Sequence, residues 1–108
     1  MALFLVGPKI SPFSFGSAPL SLGESATLQC TVSDGDRPLN IRWVINGSIF
    51  SPALFDASTY FIEKHINVLT IESLTEAHAG NYTCEARNPA ATARYTTTLV
   101  VNGSFLAV

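Results

Sequence analysis

Charge is what this chain has least of. Of its 108 residues, six are Lys or Arg and eight are Asp or Glu, 13% in all, against about 25% in an ordinary soluble domain. The formal net charge of −2 leaves no basic field, which argues against nucleic acid or anionic lipid as a partner. Arg37, Arg42, Arg87 and Arg94 are scattered along the chain and offset by acids, so no phosphate or heparin site is expected. No apolar run approaches the roughly 20 residues of a membrane span, which puts any membrane anchor in a segment outside this fragment. The opening Met1-Ala2-Leu3-Phe4-Leu5-Val6-Gly7 lacks the basic start and full apolar stretch of a signal peptide. Residues 1–7 read instead as a lead-in to the first strand or a cloning-derived start. Helical periodicity, internal repeats and low-complexity segments are missing as well.

What is present is alternation. The apolar fraction of 47% is enough for one core, and this length has no room for two domains. Ala26, Leu28, Cys30 and Val32 alternate with Thr27, Gln29, Thr31 and Ser33, the pattern of a strand with one buried face. Asp34-Gly35-Asp36-Arg37-Pro38 is a turn. Ile41, Trp43 and Ile45 alternate in the next strand, which Asn46-Gly47 closes tightly. Residues 48–58 are irregular, with Pro52 barring central pairing. Residues 59–74 hold two strands joined near Lys64 and His65, with Leu69 and Ile71 inward. A crossing with one helical turn spans 75–80, a strand 81–87, the hairpin turn Asn88-Pro89-Ala90-Ala91 and a last strand 92–102. At the front, 8–15 and 18–22 form one strand split by Gly16. Short strands between turn clusters predict an all-β sandwich or barrel.

Little chemistry is available to such a body. His65 and His78 are the two histidines, and both read as solvated loop residues rather than partners of a nucleophile in a pocket. Asp34 and Asp36 share one turn, which supplies too few oxygens for calcium. No enzyme, cofactor, metal or small-molecule substrate is expected. Two cysteines fit either reduced core thiols or one bridge. The sequons Asn46-Gly47-Ser48, Asn81-Tyr82-Thr83 and Asn102-Gly103-Ser104 favour a secreted glycoprotein. Asn46, in its exposed turn, is expected to be modified efficiently and Asn81 partly.

The order Cys30, Trp43, Leu69, Tyr82, Cys84 resembles an immunoglobulin domain. His78-Ala79-Gly80-Asn81-Tyr82-Thr83-Cys84 is similar to that family's Asp-x-Gly-x-Tyr-x-Cys run, with His78 where the family has Asp. That Asp pairs with an Arg on the fourth strand, and no Arg lies between Arg42 and Arg87, so both halves of the pair are missing. The resemblance implies an immunoglobulin-like β-sandwich over 8–102, followed by a linker over 103–108. It implies a Cys30–Cys84 bridge between the sheets, which leaves no thiol for zinc, with Trp43 packed on it and Leu69 inside. Tyr82 would tether the crossing through its hydroxyl, and Gly80 would allow the tight approach. The interval from Trp43 to Leu69 is too short for the extra strands of a variable-type domain, so the intermediate set is expected.

Pro8-Lys9-Ile10-Ser11-Pro12-Phe13-Ser14-Phe15-Gly16 resembles the opening of an alternatively spliced variable domain of arthropod Dscam, the Down syndrome cell adhesion molecule family. Val68-Leu69-Thr70-Ile71-Glu72-Ser73, running into Ala79-Gly80-Asn81-Tyr82-Thr83-Cys84, is similar to the later half of the same domain. The resemblance implies the extracellular part of a single-pass cell-surface receptor whose domain binds an identical copy on another cell. A heterophilic receptor and an intracellular structural domain of the titin kind are the alternatives. Period-2 alternation supplies a surface for self-binding. With Leu69 and Ile71 inward, Ile66, Val68 and Thr70 lie on the outer face. Tyr60 and Ile62 join them from the preceding strand, flanked by Thr27, Gln29 and Thr31. This apolar, uncharged set is expected to be exposed and to form a symmetric antiparallel homodimer through the first, second, fourth and fifth strands. Val68→Glu is expected to break that dimer and spare the fold.

Overall fold

The computed structural model describes residues 5–16 and 19–103. Its strands are β1 (Lys9–Ile10), β2 (Leu20–Ser21), β3 (Ala26–Asp34), β4 (Asn40–Ile45) and β5 (Ser48–Ile49), then β6 (Ser58–Ile62), β7 (Ile66–Ile71), β8 (Gly80–Arg87), β9 (Thr92–Leu99) and β10 (Val101–Asn102). A 3-10 turn, Glu76–His78, carries the chain from β7 to β8. One sheet has the order β1-β3-β7-β6 and the other β5-β4-β8-β9. Together they make the immunoglobulin-like sandwich.

Alternation becomes burial where the sheets face each other. In β3, Ala26, Leu28, Cys30 and Val32 are buried while Thr27, Gln29 and Ser33 are exposed. From β4 come Ile41, Trp43 and Ile45, and from β7 Leu69 and Ile71, all buried in the same core. The β4–β5 hairpin turns on Asn46 (φ 51°) and Gly47 (φ 84°), the paired left-handed residues that match strand twist.

The first strand is split as expected. β1 pairs antiparallel with β3, whereas β2 lies parallel to β10. Gly16, at φ 104°, stands between them; Ser17 and Ala18 of the expected 18–22 stretch lie outside the described residues. So do residues 1–4 of the lead-in and 104–108 of the expected linker. The last strand differs from its single predicted span. β8 begins at Gly80, which pairs with Leu99, so beyond Leu99 the chain has no partner there and turns at Val100 to meet β2.

Cys30 and Cys84 are bonded, with Cα atoms 6.3 Å apart. Trp43 is 2% exposed, and Phe13 sits edge-on to it at 5.6 Å. Tyr82 is fully buried and its hydroxyl donates to the His78 carbonyl at 2.5 Å, the tether expected of this position. Burial pushes the Tyr82 phenol well above its ordinary value.

His78 is not a solvated loop residue. It is 2% exposed. The Thr75 backbone N–H donates to Nδ1 at 2.9 Å, and Nε2 lies 2.8 Å from the Asp56 carbonyl. This arrangement fits a neutral ring that accepts at Nδ1 and donates at Nε2. One imidazole thus holds the 3-10 turn against the segment before β6. It ties the crossing down by hydrogen bonds where the family's Asp would use an ion pair. His78→Ala should lower stability by about 2 kcal/mol, since it removes a buried ring together with the hydrogen bonds that tie Thr75 to Asp56. Urea unfolding checks this, and a variant as stable as wild type would refute the tethering role.

Candidate functional site

Strand register assembles the outer face of the β1-β3-β7-β6 sheet into three rungs. Thr27, Thr70 and Ser58 form the first; Gln29, Val68 and Tyr60 the second; Thr31, Ile66 and Ile62 the third. All eight residues expected there from alternation share this face, and no rung carries a charge. Glu72 stands one rung beyond Thr70, and Glu63 and Lys64 lie in the turn past Ile62. The polar members bind one another: Ser58 and Thr70 hydroxyls are 2.9 Å apart, and Gln29 Nε2 donates to Thr31 Oγ1 at 3.3 Å. Tyr60 (52%) and Ile62 (43%) are exposed. Thr27 and Gln29 are exposed too, while Ile66 and Thr70 are half-buried.

Val68 departs from expectation. It faces outward by register, outside the core cluster, yet is only 1% exposed. Tyr60 and Gln29 flank it in adjacent strands, and between two longer side chains a valine has little surface left. Val68→Glu would therefore disturb packing as well as any interface, so it cannot spare the fold as expected. Phe61 is 53% exposed on the opposite parity of edge strand β6. Apolar residues at both parities of 59–62 were the signal for it.

The other sheet presents a different outer face. Its rungs are Asn40–Arg87–Thr92, Arg42–Glu85–Arg94 and Val44–Thr83–Thr96. Arginines that look scattered in the sequence converge here: three of the four occupy two adjacent rungs. Glu85 is 5% exposed, and its two oxygens accept from Arg42 Nε at 2.6 Å and Arg94 Nε at 2.8 Å. Burial alone would push this carboxyl up, but the hydrogen bonds and charges of the two arginines outweigh it and hold it below the usual range. Nothing in the one-dimensional order marks Glu85, because its partners come from β4 and β9.

The first two sequons meet at the far end of this face. Asn46 Oδ1 accepts the Asn81 N–H at 2.8 Å, and the Asn81 side chain accepts from Thr98 Oγ1 at 2.8 Å. A Cβ at Gly80 would collide with the Asn46 amide, which is why glycine stands there. Asn102 is exposed in β10; Ser104 of its sequon lies outside the described residues. No cluster of three or more His, Cys, Asp or Glu that could hold a metal occurs among the described residues. No helix among them is long and apolar enough to cross a membrane.

Residues 8–88 match the model of the immunoglobulin domain family. Cell adhesion molecule Dscam1 of Drosophila melanogaster is 38% identical over 98 residues, covering 91% of this chain. The chain spans only 5% of that relative's length. The crystal structure of the Dscam1 Ig7 domain, isoform 5, superposes with a TM-score of 0.84 at 34% identity, covering 89% of this chain and 97% of that one. The structure of the N-terminal eight Ig domains of Down Syndrome Cell Adhesion Molecule isoform 1.30.30 is 43% identical, with a TM-score of 0.83, over 90% of this chain and 12% of that one.

Proposed function

Since the chain belongs to the immunoglobulin domain family and is homologous to the immunoglobulin domains of Dscam cell adhesion molecules, we propose that it is an extracellular recognition domain of a single-pass adhesion receptor and binds a second copy of itself. The observation that carries this reading is the uncharged outer face of β3, β7 and β6, where Tyr60 and Ile62 stand 52% and 43% exposed. An apolar patch on a monomer's surface marks a partner site. A two-fold, antiparallel pairing lets one self-complementary patch serve both copies and suits molecules reaching from opposing cells. Val68 and the hydroxyl pair Ser58–Thr70 give the patch a rigid floor, which limits the ordering cost of association. The interface is of modest size and strength, since receptors acting in many copies gain through avidity.

Sedimentation equilibrium tests this with wild type, Tyr60→Glu and Ile62→Glu side by side. Both replaced side chains are exposed, so each variant should keep the wild-type circular dichroism. Wild type should dimerise, and each carboxylate, paired with its own copy across the two-fold, should weaken association by about tenfold or more, 1.4 kcal/mol. A wild type that stays monomeric at about 1 mM, or variants that dimerise as well, would remove this face from consideration.

A further inference from the structure

The charges of this chain are few but segregated. Six basic side chains occur in all. Arg42, Arg87 and Arg94 share two adjacent rungs of the β4-β8-β9 face. Beyond the upper rung lies a shallow cleft of about 360 Å³ lined by residues including Pro38, Leu39, Arg87 and Asn88. It adjoins a second, of about 390 Å³, lined by Arg37, Pro38, Leu39 and Lys64. The two clefts share Pro38 and Leu39. Five of the six cations therefore follow one track, from Lys64, in the β6–β7 turn, and Arg37 across Pro38 and Leu39 to Arg87, Arg42 and Arg94; Lys9, in β1, lines neither cleft and stands in neither arginine rung.

From this arrangement we propose that the β4-β8-β9 face and its two clefts bind a sulfated glycosaminoglycan chain. Glu85, the acid at the centre of the face, is neutralised twice over. Both of its arginines engage it through Nε and keep 42% and 60% of their side-chain surface exposed, so the first anion holds guanidinium groups that a second can still reach. Such pre-ordered guanidinium forks suit sulfate and carboxylate groups. Two rungs lie about 7 Å apart and two strands about 5 Å, so one short saccharide segment can meet all three arginines.

The neighbours decide among polyanions. The two arginine rungs carry no aromatic side chain on which a base could stack, which disfavours single-stranded nucleic acid. They also lack the large apolar anchor that an interface between proteins needs at its centre. Asn40 and Thr92 instead offer amide and hydroxyl groups to sugar hydroxyls. Asp36 and Glu63 adjoin Arg37 and Lys64 in the chain, so the arginine rungs form the strong end of the track. The net charge of −2 repels a polyanion at long range, which makes the binding short-ranged and readily screened.

The test uses a size-defined heparin octasaccharide in titration calorimetry, with Arg87→Ser, Lys64→Ser and their combination. Neither Arg87 nor Lys64 makes an ion pair among the described residues, so these variants leave the Arg42–Glu85–Arg94 row intact. Lys9→Ser, outside both clefts and both arginine rungs, is the control. The octasaccharide should bind at low salt and weaken sharply towards about 150 mM NaCl. Arg87→Ser should lose about fivefold to tenfold in affinity, the double variant more, and Lys9→Ser less than twofold, in line with one charge-assisted contact per site. Absence of binding at low salt would overturn the proposal, as would equal losses for Lys9→Ser and Arg87→Ser. So would a poly-glutamate peptide of equal charge that binds as tightly, because the face would then be an acidic-protein site.

Discussion

Cys30→Ala with Cys84→Ala should cost about 4 kcal/mol of folding stability and lower the melting temperature by roughly 15–20 °C. The bridge closes a separation of 54 residues, and an open chain regains that loop's freedom on unfolding. Both cysteines are fully buried in the core beside Trp43, so the loss is not softened by water reaching the gap. A loss of this size is a large part of the margin by which a domain stays folded. The wild-type mass should fall two hydrogens short of the reduced chain. Trp43 is the sole tryptophan, so its fluorescence follows denaturant unfolding of both proteins. A double variant within about 1 kcal/mol of wild type would show that the bridge contributes little beyond core packing.

The sandwich was legible because its signals are redundant. The parity of 26–33 places four apolar side chains on one face, and the β3 residues predicted to be buried are buried. The Asn46-Gly47 turn, the helical turn after β7 and the hairpin at Asn88 follow from local chemistry and stand where expected. Misses occur where burial depends on a neighbour in space. Asn67 shares the inward parity of Leu69 and is 4% exposed, its Nδ2 3.4 Å from the Ile41 carbonyl; a polar residue carries no signal that it will face a core. His78 reads as a loop histidine until the segment before β6 folds over it. In each case the deciding atom is a backbone carbonyl more than 20 residues away.

The surface follows the same logic. Parity assigned all eight face residues to the correct side, since a strand has only two sides. It could not assign exposure: Val68, outward by register between Gln29 and Tyr60, is only 1% exposed. Lateral register matters still more for charge. Arg42, Arg87 and Arg94 are scattered along the chain and become neighbours only when β4 and β9 pair with β8. A reading by net charge therefore misses a cationic face on an acidic domain. The two faces are complementary in character, one uncharged and apolar, the other polar and arginine-rich, so two kinds of contact need not compete for one surface.

Replacing both Arg42 and Arg94 by Met should destabilise the domain at neutral pH by about 3 kcal/mol and reverse the pH dependence that Glu85 imposes. In wild type the Glu85 pKa is lowered on folding, because the two arginines outweigh burial. A lowered carboxyl contributes stability that is present above its unfolded value, near 4.5, and is lost as pH falls through the folded one. Methionine keeps much of each arginine's apolar stem but removes the charge and the donors, leaving burial as the remaining influence. The Glu85 pKa should then rise above its unfolded value, and an unpaired buried carboxylate is among the costliest changes a fold can suffer. In that variant Glu85 opposes folding while ionised, and protonation relieves it as the pH drops. The deficit relative to wild type should accordingly be greatest near pH 7 and shrink towards pH 4. Adding Glu85→Gln to the double variant should recover part of the loss at pH 7 and little at pH 4. Urea unfolding at both values checks the set. A deficit equal at the two pH values, or no recovery from Glu85→Gln, would mean that the arginines support the sheet by packing rather than by holding the carboxylate.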